Sequence, residues 1–233
     1  MISRRSFIRS GALFVPTTFG ILRGQMHGPI APSVVAAGGG ATYLIDEDFE
    51  GTGKPTDWVD STGAGDYDYT TGPLEGAQSL FLDGTGTTTV VFSPTFTAQS
   101  TLWVHFMIKW SAQSAANVTT FGIRETNTLV AYLNFRSTAE TVRVYNGTTQ
   151  TATTGWVVGT TYHVWMKYVK GTGADGITEV YRSTTTTRGA ALVTVTGNAT
   201  SDLNNLYFQA NTAQNFDVMV DQVLVDDAEI GDL

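Results

Sequence analysis

The sequence predicts an all-β protein, a two-sheet antiparallel β-sandwich of the jelly-roll kind, preceded by an N-terminal leader and a flexible linker. Three observations predict it. From Thr42 onward, short runs of alternating apolar and polar residues are broken by Gly, Asn, Asp and Thr clusters, and no sustained helical period interrupts them. Charged residues make up only 15% of the chain, so uncharged threonines must cover much of the surface; β-branching also suits them to a pleated sheet. Finally, 42–233 is long enough for one sizeable core without being divided.

The strands follow in order. Ser79–Leu82 and Thr88–Phe92 are short apolar runs bounded by Asp and Gly. Thr101–Trp110 puts Leu102, Val104, Phe106, Ile108 and Trp110 on one face, and Trp103, His105, Met107 and Lys109 on the other. Asn117–Arg124 and Leu129–Arg136 come next; in the second, Leu129, Ala131, Leu133 and Phe135 oppose Val130, Tyr132, Asn134 and Arg136. Val142 and Val144 then oppose Arg143 and Tyr145. In Thr161–Val169, Tyr162, Val164, Met166 and Tyr168 alternate with His163, Trp165, Lys167 and Val169. Ile177–Arg182, Leu192–Val195, Leu206–Ala210 and Phe216–Val225 complete the set. Asn146-Gly147 and Asp175-Gly176 are expected to supply the positive φ of tight hairpin turns.

Charge is segregated along the chain. The net charge is −8 and the isoelectric point 4.7. Residues 1–45 carry Arg4, Arg5, Arg9 and Arg23 and no acid. Residues 46–83 have ten acids against Lys54, 84–216 have five acids against eight bases, and 217–233 have six acids and no base. An acidic surface repels a phosphate backbone, so nucleic acid is not an expected partner. No apolar run is long enough for an integral membrane segment. Without cysteine there is no disulfide framework, thiolate nucleophile or cysteine zinc site.

Ser3-Arg4-Arg5-Ser6-Phe7-Ile8-Arg9, followed by the moderately apolar Gly11–Leu22, resembles a twin-arginine export signal. The resemblance implies periplasmic or extracellular export. The alternative is that 1–22 is an arm docking on other copies of the chain or on particle proteins, which would place the protein on a virion or particle surface. Residues 23–41, rich in Gly and Pro, read as a linker.

In the body, Ile45-Asp46-Glu47-Asp48-Phe49-Glu50 is followed by Pro55 and Trp58, then by Gly76-Ala77-Gln78-Ser79-Leu80-Phe81-Leu82-Asp83. Gly159 to Tyr168 comes next, and Val220-Asp221-Gln222-Val223-Leu224-Val225-Asp226 closes the chain. This order of segments resembles the concanavalin A-like, laminin G-like jelly roll. That superfamily includes lectin-like modules, adhesion domains, glycan hydrolases and lyases, and phage or exported-protein appendages. The resemblance fixes no function by itself.

Hydrolases of the superfamily carry alternate carboxylates as Glu-x-Asp-x-x-Glu or Glu-x-Asp-x-Glu on one strand. Here Glu47-Asp48-Phe49-Glu50 has the wrong spacing. The Gln-x-His of alginate-type lyases is matched only by Gln25-Met26-His27, in the linker, and no Gly-x-Ser-x-Gly elbow accompanies His105 or His163. No enzymatic activity is therefore expected. Expected instead is recognition of a glycan or surface polysaccharide; the alternatives are a structural role in an extracellular or virion assembly and, second, a glycan-active hydrolase or lyase.

Aromatic rings beside fixed polar groups make Tyr132, Asn134, Arg136, Arg143, Tyr145, His163, Trp165 and Lys167 the candidate ligand face, with Trp103, His105 and Lys109 beside it. The alternative for each is an ordinary solvated strand face. First and last strands lie side by side in such folds, so Asp46, Asp48 and Glu50 would approach Asp226. That grouping suits Ca2+, the one cofactor considered, or else forms a solvated acidic edge. The three Asn-x-Thr sequons read as chance in a threonine-rich chain.

Overall fold

A computed structural model describes residues 43–111, 117–136, 140–212 and 216–233. The leader, the linker and Gln25-Met26-His27 lie outside the described residues. Among the described residues, fifteen strands pair antiparallel into two sheets. Sheet A holds β1 (Ile45–Glu47), β3 (Asp66–Tyr69), β4 (Ser79–Leu82), β6 (Thr101–Trp110), β11 (Tyr162–Val169), β12 (Gly176–Ser183), β13 (Val193–Gly197) and β15 (Val218–Asp226). Its order is β13-β12-β11-β6-β15-β4-β3, with β1 also paired to β15. Sheet B holds β2 (Val59–Thr62), β5 (Thr89–Phe92), β7 (Asn117–Glu125), β8 (Thr128–Arg136), β9 (Thr141–Asn146), β10 (Thr149–Thr153) and β14 (Asn205–Ala210), in the order β10-β9-β8-β7-β14-β5-β2. Among the described residues no helix is long and apolar enough to cross a membrane.

The period-two alternation read from the sequence decides which side chains meet between the sheets. Leu102, Val104, Phe106 and Ile108 of sheet A are fully buried against Phe121, Ile123, Leu133, Val144 and Phe208 of sheet B. Ring contacts bridge the layers: Phe106 lies 4.2 Å from Phe121, and Trp110 lies 4.5 Å, edge-on, from Phe135. At the β9 corner the buried Asn146 ties the sheets together, donating to Thr178 Oγ1 at 3.0 Å and accepting the Ala199 N–H at 3.0 Å.

The hairpin expectations divide. Gly147 has φ of +59°, as its turn requires. Gly176 is absent from the positive-φ residues; instead the Asp175 carboxylate closes the turn, accepting the Thr172 and Gly173 N–H groups at 2.7 and 2.9 Å. Glycine is needed at 176 for space, because a Cβ there would meet the Ala199 carbonyl at 2.7 Å. The first and last strands do lie side by side, with Ile45 opposite Val225.

Candidate functional site

The structure divides the candidate ligand residues between the two outer faces. Tyr132, Asn134, Arg143 and Tyr145 lie on sheet B, whereas His163, Trp165 and Lys167 lie on sheet A. Arg136 pairs with Asn117 and Thr141 in sheet B. The correction has a simple cause. Alternation tells which side chains share a strand face, but not which sheet a strand joins.

On sheet A the register aligns His105 with Trp165, and Trp165 with Tyr181. A bulge in β15 gives Gln222 a φ of +46° and brings its carbonyl 3.1 Å from His105 Nδ1. A carbonyl can only accept, so His105 carries its proton on Nδ1. Its Nε2 therefore accepts from His163 Nδ1 at 3.2 Å. Burial, with His163 beside it, pushes His105 down to about 3, and burial lowers His163 as well. Both rings are neutral near pH 7.

Residues 227–233 close over this face. Trp165 Nε1 donates to the Gly231 carbonyl at 3.1 Å, and Ile230 packs on Trp103 and Trp165. Arg188 stacks on Trp103 and Tyr181 while bonding Glu229 and the Ile230 carbonyl. Trp165 is thus wholly buried and Trp103 and His163 nearly so; among the predicted ligand residues here only Lys167 keeps appreciable exposure, and it pairs with Glu179 at 3.3 Å. At the far end of the face, Tyr69, Phe81, Lys109, Asp217 and Met219 border a cleft of about 410 Å3.

Sheet B presents an open outer face. Its register sets one row across seven strands: Gln150, Tyr145, Tyr132, Gly122, Tyr207, Phe92 and Val59. Tyr145 and Tyr132 stack at 4.2 Å with planes 10° apart, and Tyr207 and Phe92 sit 5.9 Å apart. All four rings are half-buried, and Val59 is exposed. Gly122 separates the pairs, and a Cβ there would meet Leu129 Cδ2 at 2.2 Å and Tyr132 Cβ at 3.2 Å.

Polar groups flank the row. Arg143 Nη1 donates to Gln150 Oε1 at 3.4 Å, and the Tyr207 hydroxyl donates to Gln209 Oε1. Burial raises the Tyr207 phenol to about 12 although the nearby Arg124 charge pulls it down. Arg124 lies over the Phe92 ring at 4.1 Å. Among the described residues no Asp or Glu occupies an outward position on these strands, so the face is basic within an acidic body. Sequence reasoning found the Tyr132–Tyr145 half of the row and missed Phe92, Tyr207, Arg124 and Asn205. The alternation of the β5, β7 and β14 runs was the available signal.

The acidic candidates act locally. Asp48 Oδ1 accepts the Glu50 N–H at 3.1 Å, and Glu50 Oε1 accepts the Ala77 and Gln78 N–H groups at 2.8 and 3.2 Å. Asp226 Oδ1 accepts the Ala228 N–H at 3.0 Å, while burial and the charge of Asp48 raise the Asp46 pKa. Among the described residues no group of three or more His, Cys, Asp or Glu is placed to hold a metal ion.

These features define a class: an all-β sandwich of two antiparallel sheets with an open aromatic face on one of them. No protein-family model matches the sequence, and no curated protein matches it. Solved structures do share its fold. Endo-β-1,4-glucuronan lyase from the fungus Trichoderma reesei superposes with a TM-score of 0.53 at 11% identity, over 79% of this chain and 95% of that one. The receptor-binding domain of botulinum neurotoxin mosaic serotype C/D gives 0.52 at 11% identity, over 81% of this chain and 48% of that longer one. At these identities the likeness is one of fold: the chain shares a two-sheet, jelly-roll-like β-sandwich with both.

The lyase match overturns the expectation that the protein is no enzyme. That expectation rested on missing hydrolase carboxylates, a missing serine elbow and a lyase-type Gln-x-His found only at Gln25-Met26-His27. Elimination across a sugar ring needs neither of the first two, and its acid and base can come from other side chains than one short string, so these grounds argue nothing against a lyase fold.

Proposed function

We propose that the protein engages a polysaccharide chain along the outer face of sheet B. The aromatic row carries this reading: four half-exposed rings from four strands stand in line on a face that, among the described residues, is free of outward carboxylates. Such rings stack on the C–H faces of sugars while neighbouring amides and guanidinium groups fix hydroxyls. The glucuronan lyase, whose name gives it a polysaccharide substrate, supports the reading through its shared fold. Calorimetric titration against neutral and acidic polysaccharides tests it. Binding weakened by Tyr132→Ala and Tyr207→Ala is expected; unchanged binding in both variants would refute it.

One observation favours turnover as a second reading. The Tyr207 phenol keeps its proton at neutral pH, sits beside Arg124 and shares its face with Gln209. In such an elimination a solvent base takes the proton next to the uronate carboxylate, the C4–O bond breaks, and a protonated phenol so placed can deliver its proton to the departing glycosidic oxygen. Ultraviolet absorbance of newly formed unsaturated ends, lost in Tyr207→Phe, is the expected result. No absorbance from any polyuronate would remove this reading and leave binding intact.

A further inference from the structure

Three enclosed side-chain atoms have no hydrogen-bond partner among the described residues: Arg124 Nη1, Asn134 Oδ1 and Asn205 Oδ1. All three belong to the outer face of sheet B. Arg124 and Asn205 are register partners on β7 and β14, one step from the aromatic row, and are only 6% and 8% exposed. Arg124 Nη2 reaches Asn127 Oδ1 at 3.3 Å, and among the described residues no carboxylate forms an ion pair with this guanidinium. A cation buried without a counter-charge is costly, as is an acceptor buried without a donor. Here the two stand side by side and are opposite in sense, one a charged donor and the other a neutral acceptor.

A ligand that satisfies both must bring an anionic acceptor next to an O–H donor. A neutral sugar supplies the hydroxyl without the charge. A sugar acid supplies both on one ring, and that ring has the faces of Phe92 and Tyr207 beside it. Resting on the polysaccharide reading, we infer that the Arg124–Asn205 corner is a sugar-acid subsite, taking a uronate carboxylate on Arg124 and an adjacent hydroxyl on Asn205. Phe92, half-exposed over the guanidinium, is the side chain that yields as the sugar enters. Asn134 Oδ1, across the row, accepts a hydroxyl from a neighbouring sugar.

The test compares a polyglucuronate with its carboxyl-reduced, neutral counterpart by calorimetry on the full chain. The wild type is expected to prefer the acid form by roughly ten- to a hundredfold, the range for a charged hydrogen bond. Arg124→Gln levels that preference while keeping affinity for the neutral polymer. Asn205→Asp, which sets a carboxylate beside Arg124 and so reads the subsite even where Arg124→Gln folds poorly, levels it too. Lys109→Gln, on the outer face of sheet A, controls for general charge attraction and keeps the preference. Equal wild-type affinity for both polymers overturns the subsite and leaves the polysaccharide reading standing; so does a preference retained in Arg124→Gln or lost equally in Lys109→Gln. Binding to neither polymer overturns both.

Discussion

Asp221 allows a sharp test of how the fold handles a buried charge. Its carboxyl is 1% exposed on β15, where Oδ2 accepts the Ser79 hydroxyl at 2.8 Å and the Glu75 N–H at 3.1 Å, and Oδ1 accepts the Gln222 N–H at 2.9 Å. Burial outweighs these bonds and raises its pKa from 3.8 to about 7. A raised folded-state value means that the folded protein holds this proton more tightly than the unfolded chain does. Stability from this group is therefore intact below about pH 4, falls as pH rises from there through 7, and is fully lost above it. The gap corresponds to a ceiling of about 4 kcal/mol.

Asp221→Asn removes the titration while its amide oxygen still accepts from Ser79 and Glu75. Its NH2 then faces the Gln222 N–H, which costs about 1–2 kcal/mol. The expected net is about 2–3 kcal/mol of added stability at pH 8, vanishing or reversing at pH 4. Urea unfolding followed by tryptophan fluorescence at pH 4, 6 and 8 measures it. The difference between the two proteins cancels the pH responses of Asp46, Glu47 and Asp60. A wild type that gains stability over the variant as pH rises would refute the argument.

Other outcomes follow from the same geometry. Tyr145→Ala removes one ring of the stacked pair and should weaken polysaccharide binding about three- to tenfold, with little change in the melting midpoint. Trp165→Ala should do the reverse: it empties a wholly buried position on sheet A, costs about 3–5 kcal/mol in denaturant titration, and leaves that binding unchanged if the variant folds. Gly197→Ala drives a Cβ to 2.4 Å from the Asn146 carbonyl, a backbone atom that cannot swing aside, and should cost about 1–3 kcal/mol by the same measurement.

Much of this architecture is legible in the sequence. Thr101–Trp110 and Ser79–Leu82 have the predicted bounds, and most other strands fall within a residue or two, because period-two patterning reports directly on a half-buried strand. β2, β3 and β10 escaped: Val59–Thr62 has a single apolar residue, Thr149–Thr153 is almost wholly polar, and Asp66–Tyr69 alternates Asp with Tyr over only four residues, which reads equally as an acidic loop. The site was only half legible for a different reason. Tyr132 and Trp165 look alike in sequence, each an aromatic on the polar face of an alternating strand. Strand order puts one in sheet B facing outward, and the packing of 227–233 buries the other. Neither fact is local. In sequence Arg124 is merely the end of a strand, since nothing there reveals that among the described residues its guanidinium has no counter-charge.

Gly122 carries a consequence for the length of chain the face can read. It divides the row into two ring pairs whose nearest members, Tyr132 and Tyr207, stand two strand spacings apart, about 10 Å. A short oligosaccharide can rest on one pair alone. A longer chain anchored on the first holds its next sugars at high local concentration over the second, so its two weak contacts multiply instead of competing. Affinity should therefore rise in a step when the oligosaccharide grows long enough to bridge the glycine, and the row then acts as a measure of chain length as well as a platform for sugar rings.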